Sequence, residues 1–364
     1  MMYRVKIIGA GSIGNHLAHA ARSKGWAVTL TDMDPAALQR TRESVYPGRY
    51  GKWDKEIILK DSAAAMAEPA DIVFIGTPPD THIKLANIVL DAARPRALMI
   101  EKPLCGPDLQ GCQALWQRAR HDGVFIGVGY NHVLGRNTVV AEQALVRGIG
   151  TISTISTRTR EYWGGIFEAH PWLSGPASSY LGFYRRGGGA AGEHSHAINL
   201  WQHFAHVIGA GKVTDVSATL DIVCEGGTEY DRICLLALRT AEGLTGDVIQ
   251  DVVTAPTEKS ARIQGSDGYI QWHCNYQPNI DAVIACKGDA KAEPILIPKT
   301  RADDFKAEVD HLESVLEGQT AISPITLERG LDTMMVIAAA FKSHQSGRRV
   351  SIDWQAGYVP DALN

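Results

Sequence analysis

Apolar residues follow two rhythms along the 364-residue chain. In the first, short apolar runs alternate with amphipathic stretches. RVKIIG leads to helical spacing from Ile13 to Lys24, AVTLTD to a polar helical stretch, DIVFIGT to a helix from Thr81 to Ala93, ALMIE to another helix, and GVFIGVGYN closes the series at Asn131. Near-continuous apolar strands separated by stretches of period 3.6 predict βαβ units and a parallel sheet covered on both faces. Beyond Asn131 the runs lengthen and become rich in Thr and Val, as in TISTISTRTR, VTDVSATLDIV, RICLLALRT, TGDVIQDVV and ARIQGSDGYIQW, parted by Gly and Asp turn signals. Those runs predict antiparallel strands. Two stretches of helical spacing in the tail, FKAEVDHLESVLEGQ and ITLERGLDTMMVIAAAFKSHQSG, each stop at a glycine. The change of rhythm divides the chain into two domains, 1–130 and 131–364.

Composition narrows the class of partner. With 45% hydrophobic and 21% charged residues the chain reads as globular, and a net charge of -4 provides no global basic field for nucleic acid or an anionic membrane. Small molecules are the expected partners. The six cysteines show no C-x-x-C pair and no ligand-like Cys/His spacing, so neither a disulfide framework nor a metal site is expected. Met1 runs into the strand-like YRVKIIG without an apolar leader, and the expected location is the cytoplasm.

Chemistry concentrates where predicted strands end. In IIGAGSIG, Gly9, Gly11 and Gly14 stand in G-x-G-x-x-G register between a strand and a helix, with Ser12 and Ile13 inside the motif. Such a turn brings backbone N–H groups and a helix N-terminus to a pyrophosphate. Asp32 closes the second strand 18 residues after Gly14, where a carboxylate can accept from a ribose 2′-hydroxyl and would repel a 2′-phosphate. NAD is therefore expected over NADP. GTPPDTH places Thr77, Pro78 and His82 at another strand end as cofactor contacts, while Asp80 and Thr81 suit a helix cap. At the end of the next strand stand Glu101 and Lys102, followed by Pro103, which biases Lys102 away from helical geometry. A lysine at this edge could stabilise a developing alkoxide, with Glu101 orienting it or touching the cofactor.

Further on, three glycines lead into a histidine-rich helix, GGGAAGEHSHAINLWQHF, in which His196, Asn199 and His203 fall on one helical face with Glu193 just upstream. A metal set built from His194, His196 and Glu193 or His203 cannot be closed at recognisable spacing. The long aromatic segment from Glu161 to Gly192 is too long for a mere connector. Within it Tyr162, Trp163, His170 and Trp172 offer sugar-stacking faces, and Arg185 and Arg186 offer anion donors. Tyr130 and Asn131, closing the first rhythm, join the substrate candidates.

GAGSIG, TDMDP, GTPPDTH, EKPL and GGGAAGEHSHAIN, in this order, resemble the Gfo/Idh/MocA family of oxidoreductases. The resemblance implies an α/β chain with an N-terminal Rossmann dinucleotide-binding domain and a C-terminal α/β domain built on a large open, mostly antiparallel sheet. It implies a dehydrogenase or reductase moving a hydride between a nicotinamide and a secondary alcohol of a sugar, cyclitol or sugar derivative. An anionic substrate fits the paired arginines, and an exposed sheet face fits a homodimer or homotetramer. The resemblance carries the hydroxyl-polarising role to Lys102 and the proton-relay role to His196, with Asn199 three residues on. The family's upstream aspartate is missing, since Gly192 stands four before His196, and Glu193 is the nearest acid. Two other functions share the fold: a non-catalytic dinucleotide sensor or co-repressor, and an NAD-dependent glycosidase.

Overall fold

The computed structural model describes residues 2–168, 170–288 and 292–364. The first rhythm folds as β1 (Arg4–Ile8), α1 (Ser12–Ser23), β2 (Ala27–Asp32), α2 (Pro35–Arg40), α3 (Tyr46–Tyr50), β3 (Ile57–Asp61), α4 (Ser62–Ala65), β4 (Ile72–Ile75), α5 (Pro79–Ala92), β5 (Ala97–Ile100), α6 (Cys112–Asp122) and β6 (Phe125–Val128). All strand neighbours are parallel, in the order β3-β2-β1-β4-β5-β6. Every residue of β4 and β5 is buried, as a sheet covered on both faces requires. The apolar pattern does not predict β3, which falls within the stretch read as polar helix. Only Ile57 of that edge strand is buried, so it lacks the apolar run of a central strand. Local chemistry starts the helices where it can: the Asp34 carboxylate accepts from the Ala36 N–H, with Pro35 at the first helical position.

The second rhythm gives α7 (Arg136–Arg147), β7 (Ile152–Arg160), α8 (Gly164–Glu168), α9 (Gly189–Glu193), α10 (His196–Val207), β8 (Val213–Glu225), β9 (Thr228–Thr240), β10 (Thr245–Asp251), β11 (Glu258–Gly265), β12 (Gly268–Gln277), β13 (Ile280–Lys287) and β14 (Ile295–Pro298). It closes with α11 (Arg301–Leu316), α12 (Leu327–Ser346) and β15 (Val350–Ser351). The strands form one sheet in the order β14-β13-β12-β11-β7-β10-β9-β8-β15, antiparallel throughout except where β7 meets β10. Helices α7, α10 and α12 pack on it. Trp201 of α10 donates to the Ile155 carbonyl of β7 at 2.8 Å, and Trp272 of β12 to Thr138 Oγ1 of α7 at 2.9 Å. Along β9, Cys234, Leu236 and Leu238 are buried while Leu235, Ala237 and Arg239 face outward, the period of two that a sheet covered on one side imposes.

The tail does not stay with the second sheet. Helix α11 opens on a Thr300–Asp303 capping box and lies beside α1, where Phe305 stacks on His16 at 4.6 Å and Lys24 pairs with Asp310 and Glu313 at 2.7 and 2.6 Å. The Val128 N–H of β6 then donates to the Ile325 carbonyl at 2.8 Å. Residues 301–326 thus return to cover the first unit. No helix among the described residues is long and apolar enough to cross a membrane.

Candidate active site

The carboxyl ends of β1, β2, β4 and β5 form one edge, and the glycine turn stands on it. Gly9 has φ +110°, and a Cβ on Gly14 would lie 2.0 Å from the Gly9 carbonyl, so neither position accepts a side chain. A Cβ on Gly11 would meet nothing within 4 Å, which leaves open space against the N-terminus of α1. That is the cradle a pyrophosphate needs. Asp32 faces it, accepting from the Ala10 and Asp34 N–H groups at 2.8 and 2.9 Å. Arg49, which the sequence does not single out, bonds the Ser12 carbonyl and Ser12 Oγ at 2.8 and 2.7 Å, while Ile13 sits in the first turn of α1. The residues present suit a dinucleotide.

Across the edge, Thr77 Oγ1 lies 2.6 Å from Thr81 Oγ1, and Pro78 precedes α5 as its cap. His82 is fully buried, its two ring nitrogens 2.7 Å from the Thr77 carbonyl and 3.1 Å from the Pro103 carbonyl, and burial pushes its pKa down to about 4. It braces the Thr77 loop against the Lys102 turn, whose Lys102–Pro103 bond is cis. Glu101 turns inward: a Cβ on Gly129 would lie 2.8 Å from its Oε1. Burial pushes its carboxyl up against the pull of the adjacent Lys102 ammonium. Glu308 of α11, buried nearby with both oxygens unpartnered, is pushed up by burial and by Glu101.

Lys102 reaches across to α9. Its Nζ donates to the Glu193 carbonyl at 2.8 Å and stands 3.2 Å from Glu193 Oε1, while Tyr180 donates to Glu193 Oε2 at 3.0 Å. Burial raises the Glu193 carboxyl, but the Lys102 ammonium and the other neighbours outweigh it and leave it below the ordinary value. Gly192, just before Glu193, allows the close packing of α9 on the glycine turn, since a Cβ there would lie 2.1 Å from the Gly187 carbonyl. Underneath, Asp231 accepts from the Ala191 N–H at 2.7 Å and Gln250 donates to the Ala190 carbonyl at 3.0 Å.

His196 opens α10 beside this pair. Its ring stacks on His132 at 4.1 Å and meets Tyr130 edge-on at 5.6 Å. Burial, reinforced by His132 and the Lys102 charge, holds it well below the usual histidine value, and its Nδ1 is buried without a partner. His194 Nε2 and Asn131 Oδ1 are also buried and unpartnered. Tyr130 donates to Ser195 Oγ at 3.2 Å. Asn199 turns instead toward α12, donating to Thr333 Oγ1 at 3.1 Å, and His203 toward α7, 2.6 Å from Glu142 Oε1. One helical face in sequence thus serves three different neighbours. Among the described residues no group of three or more His, Cys, Asp or Glu side chains is arranged to hold a metal.

The aromatic segment is divided as well. Trp163 is 7% exposed and packs 4.7 Å from Tyr230, whereas Tyr162 is exposed. Arg186 pairs with Asp80 of α5 at 2.7 Å, and the exposed Arg185 stands 3.5 Å from Glu229. His170 and Trp172 lie edge to face at 5.1 Å, with Trp172 beneath Arg40 of α2. The motifs of the sequence do not mark His132, Tyr180 or Lys259, whose ammonium pairs with Glu161 at 2.7 Å. Lys259 carried a readable signal, because it shares strand parity with the buried Ala261 and Ile263.

Comparison with curated proteins gives no match. Solved structures share the fold over nearly the whole chain. Levoglucosan dehydrogenase in complex with NADH and levoglucosan is 18% identical over 96% of this chain and 99% of that one, with a TM-score of 0.75. The WlbA dehydrogenase of Bordetella pertussis, in complex with NADH and UDP-GlcNAcA, is 19% identical over 97% and 99%, at 0.70. Aldose-aldose oxidoreductase of Caulobacter crescentus, complexed with glycerol, is 19% identical over 97% and 100%, at 0.73. Residues 3–130 match the model of the oxidoreductase family with an NAD-binding Rossmann fold. That unit is thus similar to the NAD-binding Rossmann unit of the Gfo/Idh/MocA oxidoreductases.

Proposed function

We propose that the protein is an NAD-dependent dehydrogenase or reductase acting on a secondary alcohol of a sugar, cyclitol or sugar derivative. The observation that carries the reading is Lys102, held by Glu193 at the cofactor edge and near enough to His196 for its charge to oppose the charging of that ring. The three solved relatives named above are described with sugar, nucleotide-sugar or polyol ligands, which supports a polyhydroxylated substrate. Gly9, Gly11, Gly14, Ser12 and Ile13 would cradle the pyrophosphate and Asp32 the adenosine ribose. NAD, when bound, supplies the hydride acceptor or donor.

An ammonium has three donors, and Glu193 takes two through its carbonyl and carboxylate. The third is left for a substrate hydroxyl. As that oxygen loses its proton, the Lys102 charge stabilises it in a site largely screened from water. The His196 ring accepts the proton, and burial keeps it in its neutral, accepting form at neutral pH. The open face of the second sheet, where Leu235 is 42% exposed, would seat a second copy.

The test is a panel of sugars and cyclitols offered with NAD, following NADH. Sustained accumulation supports the reading. Glycosidic cleavage without net NADH would support the glycosidase, and tight NAD binding with no turnover would support the sensor. In an active assay Lys102→Ala should lower kcat by about 100- to 1,000-fold with NAD affinity retained, because its contact strengthens only in the transition state. Near-native turnover in that variant would remove the catalytic part of the proposal.

A further inference from the structure

The aromatic segment serves both ends of the crevice. It begins in the core with Trp163, and it ends by placing Tyr180 on Glu193. Between these points it touches the first unit. The Arg40 guanidinium lies 5.6 Å from the centre of the Trp172 ring, and His170 is close enough to depress the charging of His16 on α1. Helix α1 opens at the glycine turn, and α2, which ends at Arg40, starts just after Asp32. Trp172 thus meets α2, the helix that follows Asp32, and its ring neighbour His170 lies within electrostatic reach of α1, which sets this part of the segment on the side of the acid that faces the adenosine ribose.

A purine base prefers flat, apolar or cationic faces, and tryptophan and a guanidinium provide one each. Arg40 already pairs with Asp34 at 3.3 Å, so it stands here as a planar face more than as an anion receptor. Two faces in van der Waals contact with an inserted ring stand about 7–8 Å apart. The present 5.6 Å needs only a small widening. We propose that Trp172 and Arg40 bracket the adenine ring of bound NAD, which makes Trp172 a cofactor-binding residue contributed by the second domain. The inference rests on the NAD reading above.

Calorimetric titration of the full chain with ADP-ribose, with nicotinamide mononucleotide and with NADH tests it. Trp172→Ala should weaken ADP-ribose and NADH by about 5- to 150-fold, the range of a lost base–aromatic stack, and leave the mononucleotide within about twofold. Trp172→Phe should restore most of the loss. Arg40→Ala should also weaken ADP-ribose, and the double variant should lose less than the two single losses combined. Unchanged ADP-ribose affinity in Trp172→Ala overturns the proposal, as does an equal loss for the mononucleotide, which would mark a general disturbance. If the unmodified protein bound neither NADH nor ADP-ribose, the NAD reading itself would fail and this inference with it.

Discussion

At the scale of single residues, Asp32 and His196 show how differently two side chains can be read. Asp32 works through its position at the end of a strand after a glycine turn, all local in sequence, and its carboxylate faces the cradle as that order implies. Asp32→Ser should therefore narrow the preference for NAD over NADP, by roughly tenfold if about 1.4 kcal/mol of charge repulsion is removed. Titration of both cofactors measures it, and an unchanged ratio would count against the carboxylate. For His196, His196→Ala should cut kcat by about 100-fold or more while NAD affinity holds. A buried neutral ring also places the acid limb of the rate profile below the ordinary histidine range. A limb near that range would mean that another group takes the proton. His132 and Tyr180, which stack on His196 and hold Glu193, were illegible because their partners are remote in the chain.

Among the elements, α9 is where local and distant sequence meet. The triple glycine announces a turn, but its purpose depends on β9 and β10 beneath it. Gly189 has φ +75°, and a Cβ there would lie 2.0 Å from Asp231 Oδ1. Gly189→Ala should destabilise the protein by about 2–4 kcal/mol through backbone strain and overpacking together, as read by urea unfolding. Asp231 itself is buried, and burial pushes its carboxyl from 3.8 to about 8. The folded state thus holds this proton more tightly than the unfolded chain. Its stabilisation is complete below the ordinary carboxyl value and is lost as pH rises to about 8. Asp231→Asn keeps an acceptor for the Ala191 N–H and has no proton to lose, so the fall of melting temperature between these limits should flatten. An identical slope in both proteins would show that Asp231 does not titrate there.

Over the whole molecule, the return of residues 301–326 to the first unit joins what the two rhythms suggest are separate bodies. Helix α11 buries Phe305 and Leu312, and with Val128 bonded to Ile325 the first sheet is completed by chain from the far end. Calorimetry should accordingly show one cooperative unfolding transition, and two resolved transitions would mean that these contacts contribute little. The parallel sheet, the glycine cradle, the acid after β2 and the lysine after β5 were all determined by the sequence itself, because each depends on a period of two or 3.6 or on a motif within a few residues. Only the tertiary structure decided which groups face Lys102, why Asn199 leaves His196 for Thr333, and that Trp172 stands by Arg40. Those pairings join residues far apart in the chain, and no local pattern records which surfaces meet when two sheets and a returning helix bury their apolar faces together.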